Sequence, residues 1–327
     1  MRSSKLLTFL IALGAIVFAV VSPASAFGYG FQGGCGGYNS ACMASPSYVG
    51  PCDISGVTCV AYFAVQSCAQ SAYSGNVIDV VDSATGNTTG TRLQCSGGTV
   101  SALVSGSACT FVTGNACSPL ATTCASACTF STVYNQMGTG TFSNLTKPAT
   151  LANRSPISLA ALNSKACFST TATTQGIQST SNSTLAQPVS IMAVAQRSGN
   201  FTTTSRLVAD ATGGNINLGW STSANTIRLT AGVATQTAND SVFHSIGGIY
   251  NGASSVAVAD GTAGSPGNTT TSWNNTDLEL QNDNGGAGTG SISILCEVLI
   301  TGSALNSTQY GALSTNARLA NRWGSSF

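Results

Sequence analysis

The feature that most constrains this chain is a series of short apolar or alternating runs that begins near residue 76 and is interrupted by clusters of Gly, Asn, Ser and Thr. Such runs between turn-forming residues are typical of an antiparallel β-sandwich. The predicted strands are Asn76–Val81, Thr129–Tyr134, Ile157–Leu162, Val189–Ala195, Arg206–Ala209, Thr226–Thr230, Val242–Tyr250, Ser254–Ala259, Asp277–Gln281 and Ser291–Ile300. The sequence therefore predicts an all-β fold.

Two stretches have apolar residues at helical spacing. The first is a short N-terminal helix over Val60–Ala72, with Thr58 as its N-cap. The second is a helix near the C-terminus, where Tyr310, Leu313, Ala317 and Ala320 share one face. We expect these two helices to accompany the strands.

The last predicted strand has a regular alternation. Its apolar residues on one side form part of the predicted core: Ile292, Ile294, Cys296, Val298 and Ile300. Because side chains alternate between the faces of a strand, Cys296 is expected to point inward, and Cys167 is its predicted disulfide partner.

The single histidine, His244, lies in a strand of a predicted hairpin whose turn is Asn251-Gly252. An Asn-Gly pair between alternating runs is a strong hairpin signal. A lone histidine can act as a general base near neutral pH, but in the middle of a strand we expect His244 to pack or to form a hydrogen bond.

The N-terminal segment predicts export. Residues 1–26 have a basic start, an apolar run and an Ala-Ser-Ala cleavage site, typical of a signal peptide, with an uncleaved membrane anchor as the alternative. Residues 27–50 are Gly-rich and predicted to be irregular, and residues 51–327 are predicted to form a single domain. We expect a secreted protein, extracellular or periplasmic, with no membrane association after cleavage.

The charge balance narrows the choice of partner. Without Arg2 and Lys5, the 11 basic residues fall to 9, against 10 acidic ones. Nucleic acids and anionic membranes bind basic surfaces, so neither is an expected partner. A polysaccharide or other glycan suits a surface rich in hydroxyl and amide groups, and no cofactor is expected.

Twelve cysteines behind an export signal predict disulfides rather than free thiols. A zinc site is disfavoured because the spacings contain no repeated short knuckles. The short spacings suggest four pairs, although the sequence does not establish the connectivity: Cys35–Cys42, Cys52–Cys59, Cys109–Cys117 and Cys124–Cys128.

Several motifs, in this order, carry a family resemblance. They are Gly50-Pro-Cys-Asp-Ile-Ser-Gly-Val-Thr-Cys59, Ser71-Ala-Tyr-Ser-Gly75, Thr129-Phe-Ser-Thr-Val-Tyr-Asn-Gln136, Pro188-Val-Ser-Ile-Met-Ala-Val194 and Gln281-Asn-Asp-Asn284. This pattern resembles the catalytic domain of the α-L-arabinofuranosidase B family, secreted glycoside hydrolases that remove arabinofuranose side groups from plant polysaccharides. The resemblance implies a concanavalin A-like antiparallel sandwich.

The same resemblance implies a catalytic site. Asp283 stands at the position of the family's general acid, followed by Asn284, and Asp210 is the acid expected to work with it. Thr212 occupies the position of the family's nucleophilic glutamate, and a threonine hydroxyl cannot replace a carboxylate in this role. Cys167 takes the place of a cysteine pair under the sugar. These positions therefore lack the second carboxylate that a retaining mechanism uses.

Other residues are weaker candidates. Trp220, Trp273 and Tyr134 are candidate stacking platforms for a sugar, although each is equally compatible with a place in the core. Glu279 lies four residues before Asp283, about 13 Å along an extended strand, which is too far for a retaining pair. Glu297 is a third candidate carboxylate, with a place at the rim of the site as the alternative.

Three functions are compatible with these observations. The chain is predicted to be a glycoside hydrolase of the arabinofuranosidase type, a glycan-binding protein that has lost catalysis, or a structural protein of the envelope or extracellular matrix.

Overall fold

Antiparallel strands form two layers in the computed structural model of this chain. The structure describes residues 47–82, 91–104, 107–110, 128–138, 140–179, 182–198, 205–210, 216–221, 226–229, 234–237, 242–270, 272–273, 277–282 and 291–324. The predicted signal segment and nearly all of the Gly-rich segment lie outside these residues.

The first sheet contains twelve described strands. In chain order these are β2 (Gly75–Asp82), β3 (Thr91–Ser96), β4 (Thr99–Val104), β5 (Ser107–Thr110), β6 (Cys128–Val133), β7 (Leu145–Thr146), β10 (Ile177–Ser179), β12 (Ser205–Ala209), β13 (Asn217–Trp220), β14 (Thr226–Leu229), β15 (Ala234–Thr237) and β20 (Leu278–Leu280). Their spatial order is β5-β4-β3-β2-β6-β7-β10-β20-β12-β13-β14-β15.

The second sheet has the order β1-β21-β11-β16-β17-β18. Its strands are β1 (Cys59–Ala64), β11 (Val189–Arg197), β16 (His244–Tyr250), β17 (Gly252–Ala259), β18 (Thr262–Ala263) and β21 (Ser293–Thr301). Strand β19 (Gly267–Thr269) pairs with β17, while β8 (Ile157–Leu162) and β9 (Lys165–Ser169) connect β6 of the first sheet with β21 of the second. The described helices are α1 (Ser307–Ala317) and two 3₁₀ turns, Pro51–Asp53 and Leu151–Asn153.

The main core lies between the two sheets. The first sheet contributes residues such as Val80, Phe130 and Leu280, and the second contributes residues such as Phe63 and Ile191, all at most 1% exposed. Burial of this apolar surface provides the main driving force for folding. The predicted antiparallel β-sandwich and its C-terminal helix are confirmed.

The outer face of the second sheet is also buried. Tyr62, Met192 and Leu299 pack there with Leu313 of helix α1 in a second apolar cluster. The helix therefore covers one side of the sandwich.

The predicted helix over Val60–Ala72 is wrong. Cys59–Ala64 forms strand β1, and Thr58, the expected N-cap, directly precedes it. Phe63 faces the core between the sheets, whereas Tyr62 faces the cluster below helix α1. Because both faces of this strand are apolar, its sequence shows no alternation and is also compatible with a helix.

The alternation predicted for the last strand is interrupted by a β-bulge. Val194 of β11 pairs with Glu297, and the next residue, Ala195, pairs with Leu295. Cys296 is therefore the extra residue of the bulge, which shifts the alternation of the strand.

The bulge divides four of the five predicted inward-facing residues between two clusters. Val298 and Ile300 lie in the main core with Leu295, whereas Ile294 and Cys296 pack in a third cluster with Trp323. The prediction that all five residues share the core is wrong for this reason.

The structure describes three disulfides: Cys52–Cys59, Cys68–Cys95 and Cys167–Cys296. The first and third confirm predicted pairs, and Cys68–Cys95 was not predicted. Cys128 is also disulfide-bonded, while its predicted partner Cys124 lies outside the described residues. The structure describes no pairing for Cys35, Cys42, Cys109 or Cys117. The pairs Cys35–Cys42 and Cys109–Cys117 therefore stay predictions.

The predicted hairpin is present as β16 and β17. Gly252 has a left-handed φ of +56°, and the Ser254 N–H donates to the Asn251 carbonyl at 3.0 Å.

Within the described part of the chain, no helix is both long enough and apolar enough to span a bilayer.

Candidate functional site

The outer face of the first sheet carries a row of polar residues at one register. Pairing aligns Asp79 with Thr132, Thr132 with Thr146, Thr146 with Gln178, and Gln178 with Glu279. We call these five residues the polar row. They belong to adjacent strands β2, β6, β7, β10 and β20, so the row runs across the strands for roughly 19 Å at about 4.8 Å per strand.

The neighbours of these residues show which way the polar row faces. Ile78 and Val80 flank Asp79, and Leu278 and Leu280 flank Glu279, and all four lie in the main core. Because successive side chains of a strand point to opposite faces, the polar row lies on the face away from the core.

A charged cluster occupies one end of the row. Arg92 of β3 pairs with Asp79, with its Nε donating to Oδ1 at 2.7 Å and its Nη2 to Oδ2 at 3.0 Å. The Tyr134 hydroxyl donates to Asp79 Oδ2 and accepts from Arg92 Nη2, both at 2.8 Å. The guanidinium carbon lies 5.3 Å from the centre of the tyrosine ring. We call Arg92, Asp79 and Tyr134 the arginine cluster.

The contacts within the arginine cluster shift the pKa values of Arg92 and Tyr134. The hydrogen bond to Asp79 raises the pKa of Arg92 against the opposing effect of its partial burial. Partial burial, followed by the contact with Asp79, raises the pKa of the Tyr134 hydroxyl above its ordinary value. The cluster therefore keeps a positive guanidinium and a neutral phenol at neutral pH.

Glu279 occupies the other end of the polar row, and its side chain is buried at 3% exposure. It pairs with Gln178 on one side and with Ala209 of β12 on the other. Asp210 follows Ala209 directly, so the register brings the backbones of Asp210 and Glu279 to within about one residue of each other along paired strands, which was not predicted from the sequence. Because Ala209 shares the face of Glu279, the alternation of side chains directs Asp210 to the opposite face.

Asp210 is completely buried at the end of β12. Its backbone N–H donates to the Ile216 carbonyl at 3.1 Å, and its Oδ1 accepts from the Ile216 N–H at 3.4 Å. The carboxylate thus contacts the chain where it enters β13.

The other expected acid, Asp283, lies outside the described residues, as do Asn284 and Thr212. The chain before Asp283 is described as far as Asn282. The Gln281 N–H donates to the Leu207 carbonyl at 2.7 Å, so this part of the chain runs toward the start of β12, away from Asp210. Four residues separate Asn282 from the position opposite Asp210, which is roughly 13 Å of extended chain.

Two other candidate residues lie in apolar clusters. Trp220 is 1% exposed in the main core, so its ring offers no open face for a sugar. Cys167 is completely buried in the third cluster and bonded to Cys296. Of the predicted aromatic platforms with described positions, Tyr134 lies on the polar outer face, whereas Trp273 is buried in the main core.

The remaining carboxylate candidate, Glu297, belongs to the second sheet. It is 7% exposed, accepts a hydrogen bond from the Tyr62 hydroxyl at 2.5 Å and forms an ion pair with the buried Arg322. Burial alone would lower the pKa of Arg322, but Glu297 raises it above its ordinary range. Glu297 therefore lies in a buried polar network below the C-terminal segment rather than at the rim of a site on the first sheet.

His244 is hydrogen-bonded, as expected of a histidine within a strand. Its Nδ1 lies 2.6 Å from Asp260 Oδ2, and Arg318 lies 2.8 Å from the other oxygen of Asp260. Burial raises the pKa of Asp260, but the contacts with His244 and Arg318 outweigh it and hold the pKa below its ordinary value. This cluster joins β16 to the end of helix α1.

No protein-family model and no curated protein matches this chain. Its fold is similar to solved structures of GH54 α-L-arabinofuranosidases. One, a variant soaked with 4-nitrophenyl α-L-arabinofuranoside, matches with a TM-score of 0.58 and 15% identity over 82% of this chain. A second, soaked with a cyclic sulfate inhibitor, has a TM-score of 0.58 and 16% identity over 82% of this chain.

A third similar structure is an arabinofuranosidase complexed with arabinofuranosyl-α-1,2-xylobiose, with a TM-score of 0.57 and 15% identity over 82% of this chain. The chain spans 64% of the length of each of these three proteins. At such low identity the likeness shows a related fold.

Sequence reasoning missed Asp79, Arg92 and Gln178. Asp79 had a local signal, because it is the one acid inside the predicted strand Asn76–Val81 and is flanked by apolar residues. Its pairing with Arg92 depends on the alignment of β2 with β3, and the polar row depends on strands far apart in the sequence.

Proposed function

We propose that this protein is exported and acts on an arabinofuranosyl-bearing polysaccharide, which it binds on the outer face of the first sheet. The observation that carries the proposal is the polar row on one face of a sandwich whose fold is related to that of arabinofuranosidases. Hydroxyl, amide and paired charged groups on this face match the hydrogen-bonding groups of a sugar.

Hydrolysis of the arabinofuranosyl group is the first candidate activity. Asp283 would act as the general acid and Asp210 as the second carboxylate, since glycoside hydrolysis generally uses two carboxyl groups at the scissile bond. Glu279 is a further acid: it lies at one end of the polar row, on strand β20, which pairs with strand β12 just before Asp210.

Binding without cleavage is the second candidate, and two observations favour it. Asp210 is completely buried and accepts a hydrogen bond from Ile216, which leaves it poorly suited to contact a sugar. The chain at Asn282 also runs away from Asp210, whereas a retaining pair requires carboxyl groups about 5–5.5 Å apart.

The two candidates make different predictions for the chain from Phe27 onward with its disulfides intact. A hydrolase releases nitrophenol from 4-nitrophenyl α-L-arabinofuranoside and arabinose from arabinoxylan. In that case Asp283→Asn should lower kcat/KM on arabinoxylan by about a hundredfold or more, because general acid catalysis contributes roughly 10²–10⁴ in rate.

The matched control is Asp260→Asn, which replaces an acid on the opposite side of the sandwich and should retain activity. If the wild type releases no arabinose but is retarded by arabinoxylan in affinity electrophoresis, the protein is a binder. A wild type that neither cleaves nor binds arabinoxylan would contradict the proposal.

A further inference from the structure

The arginine cluster lies well away from the acids at the other end of the polar row. Four strand spacings separate Asp79 from Glu279, which is roughly 19 Å at about 4.8 Å each. This distance is several times the width of one sugar ring. A single arabinofuranosyl group bound near Glu279 would therefore not reach Arg92.

The arginine cluster is held in one geometry before any ligand binds. Arg92 uses Nε and Nη2 for Asp79 and Tyr134, while its side chain remains 45% exposed. Its Nη1 makes none of these bonds and has two N–H donors. A guanidinium held in place with spare N–H donors can donate hydrogen bonds to the hydroxyl oxygens of a ligand, and its rigidity lowers the entropy cost of binding.

The charges along the row identify the chemistry of its ligand. Asp79 is neutralised by Arg92, Thr132, Thr146 and Gln178 are uncharged, and Glu279 is buried. Because Arg92 and Asp79 neutralise each other and Glu279 is buried, the row offers no net charge that would attract a polyanion or a polycation. The surface is complementary to a neutral chain rich in hydroxyl groups.

We infer that an extended, uncharged polysaccharide backbone lies across the strands along the polar row, with the arginine cluster as a second sugar subsite remote from Asp210 and Glu279. This inference rests on the proposed function and goes beyond it, because it assigns several consecutive sugar units to the site. Thr146, which is exposed, and Gln178 lie between the two ends, where they would contact the intervening units.

The test compares ligands of two lengths by isothermal titration calorimetry. Arabinofuranosyl-α-1,2-xylobiose has three sugar units, and soluble arabinoxylan has many. Arg92→Gln should weaken arabinoxylan binding about tenfold or more, because the hydrogen bond from a charged group to the sugar is lost; a tenfold loss corresponds to about 1.4 kcal/mol. Binding of the trisaccharide should change less than twofold.

Arg318→Gln is the matched control. It removes an arginine from another Asp–Arg pair, Asp260–Arg318 at 2.8 Å, beside helix α1. It should leave the affinity for both ligands unchanged. Tyr134→Phe serves as a second variant if Arg92→Gln does not fold, because it removes one contact of Arg92 and keeps the ring; it should weaken arabinoxylan binding alone.

The outcomes separate this inference from the proposed function. If the wild type binds arabinoxylan and Arg92→Gln or Tyr134→Phe leaves that affinity unchanged, the remote subsite is refuted and the proposed function stands. Equal loss for both ligands also refutes it, because the subsite would then contact the short ligand. A wild type that binds neither ligand overturns both proposals, and tighter binding of polygalacturonate than of arabinoxylan overturns the assignment of an uncharged chain.

Discussion

A buried ion pair holds the C-terminal segment to the second sheet. Arg322 is 2% exposed, and it contacts Glu297 and the carbonyl oxygen of the Asn316 side chain. The Tyr62 hydroxyl completes the group, and burial together with Glu297 raises its pKa well above the ordinary value. At the scale of single residues, Glu297, one of the few acids in this chain, thus holds the C-terminal segment in place and lies outside the candidate site.

Removal of Arg322 should therefore be costly. We expect Arg322→Met to lower the free energy of unfolding by about 3–5 kcal/mol, because it leaves the buried Glu297 carboxylate without its cation. Urea denaturation at pH 7 measures the change. The double variant Glu297→Gln with Arg322→Met should lose less than the single one, and a single variant as stable as the wild type would contradict the ion pair's role.

Secondary-structure elements owe their positions to contacts at their ends. Helix α1 begins with a capping box, in which Asn306 Oδ1 accepts from the Gln309 N–H at 3.0 Å and Gln309 Oε1 accepts from the Asn306 N–H at 2.9 Å. Gln309 also donates to the Gly56 carbonyl at 2.7 Å. The start of the helix is therefore tied to the loop closed by Cys52 and Cys59.

The N-cap makes a prediction at this scale. Asn306→Ala should lower the free energy of unfolding by about 1 kcal/mol, because the Gln309 N–H loses its acceptor. Asn306→Asp keeps a side-chain oxygen at this position and should be close to the wild type. Thermal and urea denaturation of the two variants distinguish the cap from a general effect of substitution, which would destabilise both alike.

The whole molecule is closed by a disulfide between distant parts of the chain. Cys167 of β9 and Cys296 of β21 are 129 residues apart, whereas Cys52 and Cys59 are separated by 7. A crosslink that closes a longer loop removes more conformational freedom from the unfolded chain. The long-range bond therefore constrains the unfolded chain more than the local one does.

This difference can be measured. Replacement of Cys167 and Cys296 together by Ala should lower the free energy of unfolding by about 2–5 kcal/mol. Replacement of Cys52 and Cys59 together by Ala is the matched control and should cost less. Equal losses in urea denaturation would mean that loop length does not determine the contribution of these bonds.

At the same scale, much of the sandwich was predictable. Ile157–Leu162 was predicted with its observed bounds, and Val189–Ala195 falls within the observed strand. The β16–β17 hairpin and the C-terminal helix also followed from local signals. These elements have a one-sided apolar pattern or a turn sequence, which short stretches of chain encode by themselves.

The candidate site was much less predictable. Tyr134 was recognised as a candidate, but Asp79 and Arg92, which contact it, come from strands whose pairing no local pattern reveals. Trp220 was equally compatible with a platform and with the core, because the sequence does not show which face of β13 is covered. Register and layer contacts decide such questions, and both involve residues far apart in the chain.

Local patterns in the sequence indicated the class of fold and suggested the disulfide Cys52–Cys59, because alternation, turn residues and short cysteine spacings act over a few residues. The tertiary structure was needed to show that Cys59–Ala64 is a strand, since burial of both faces removed the alternation that would have identified it. It also decided the alignment of Asp79 with Glu279, because one register across five strands sets which side chains share a face.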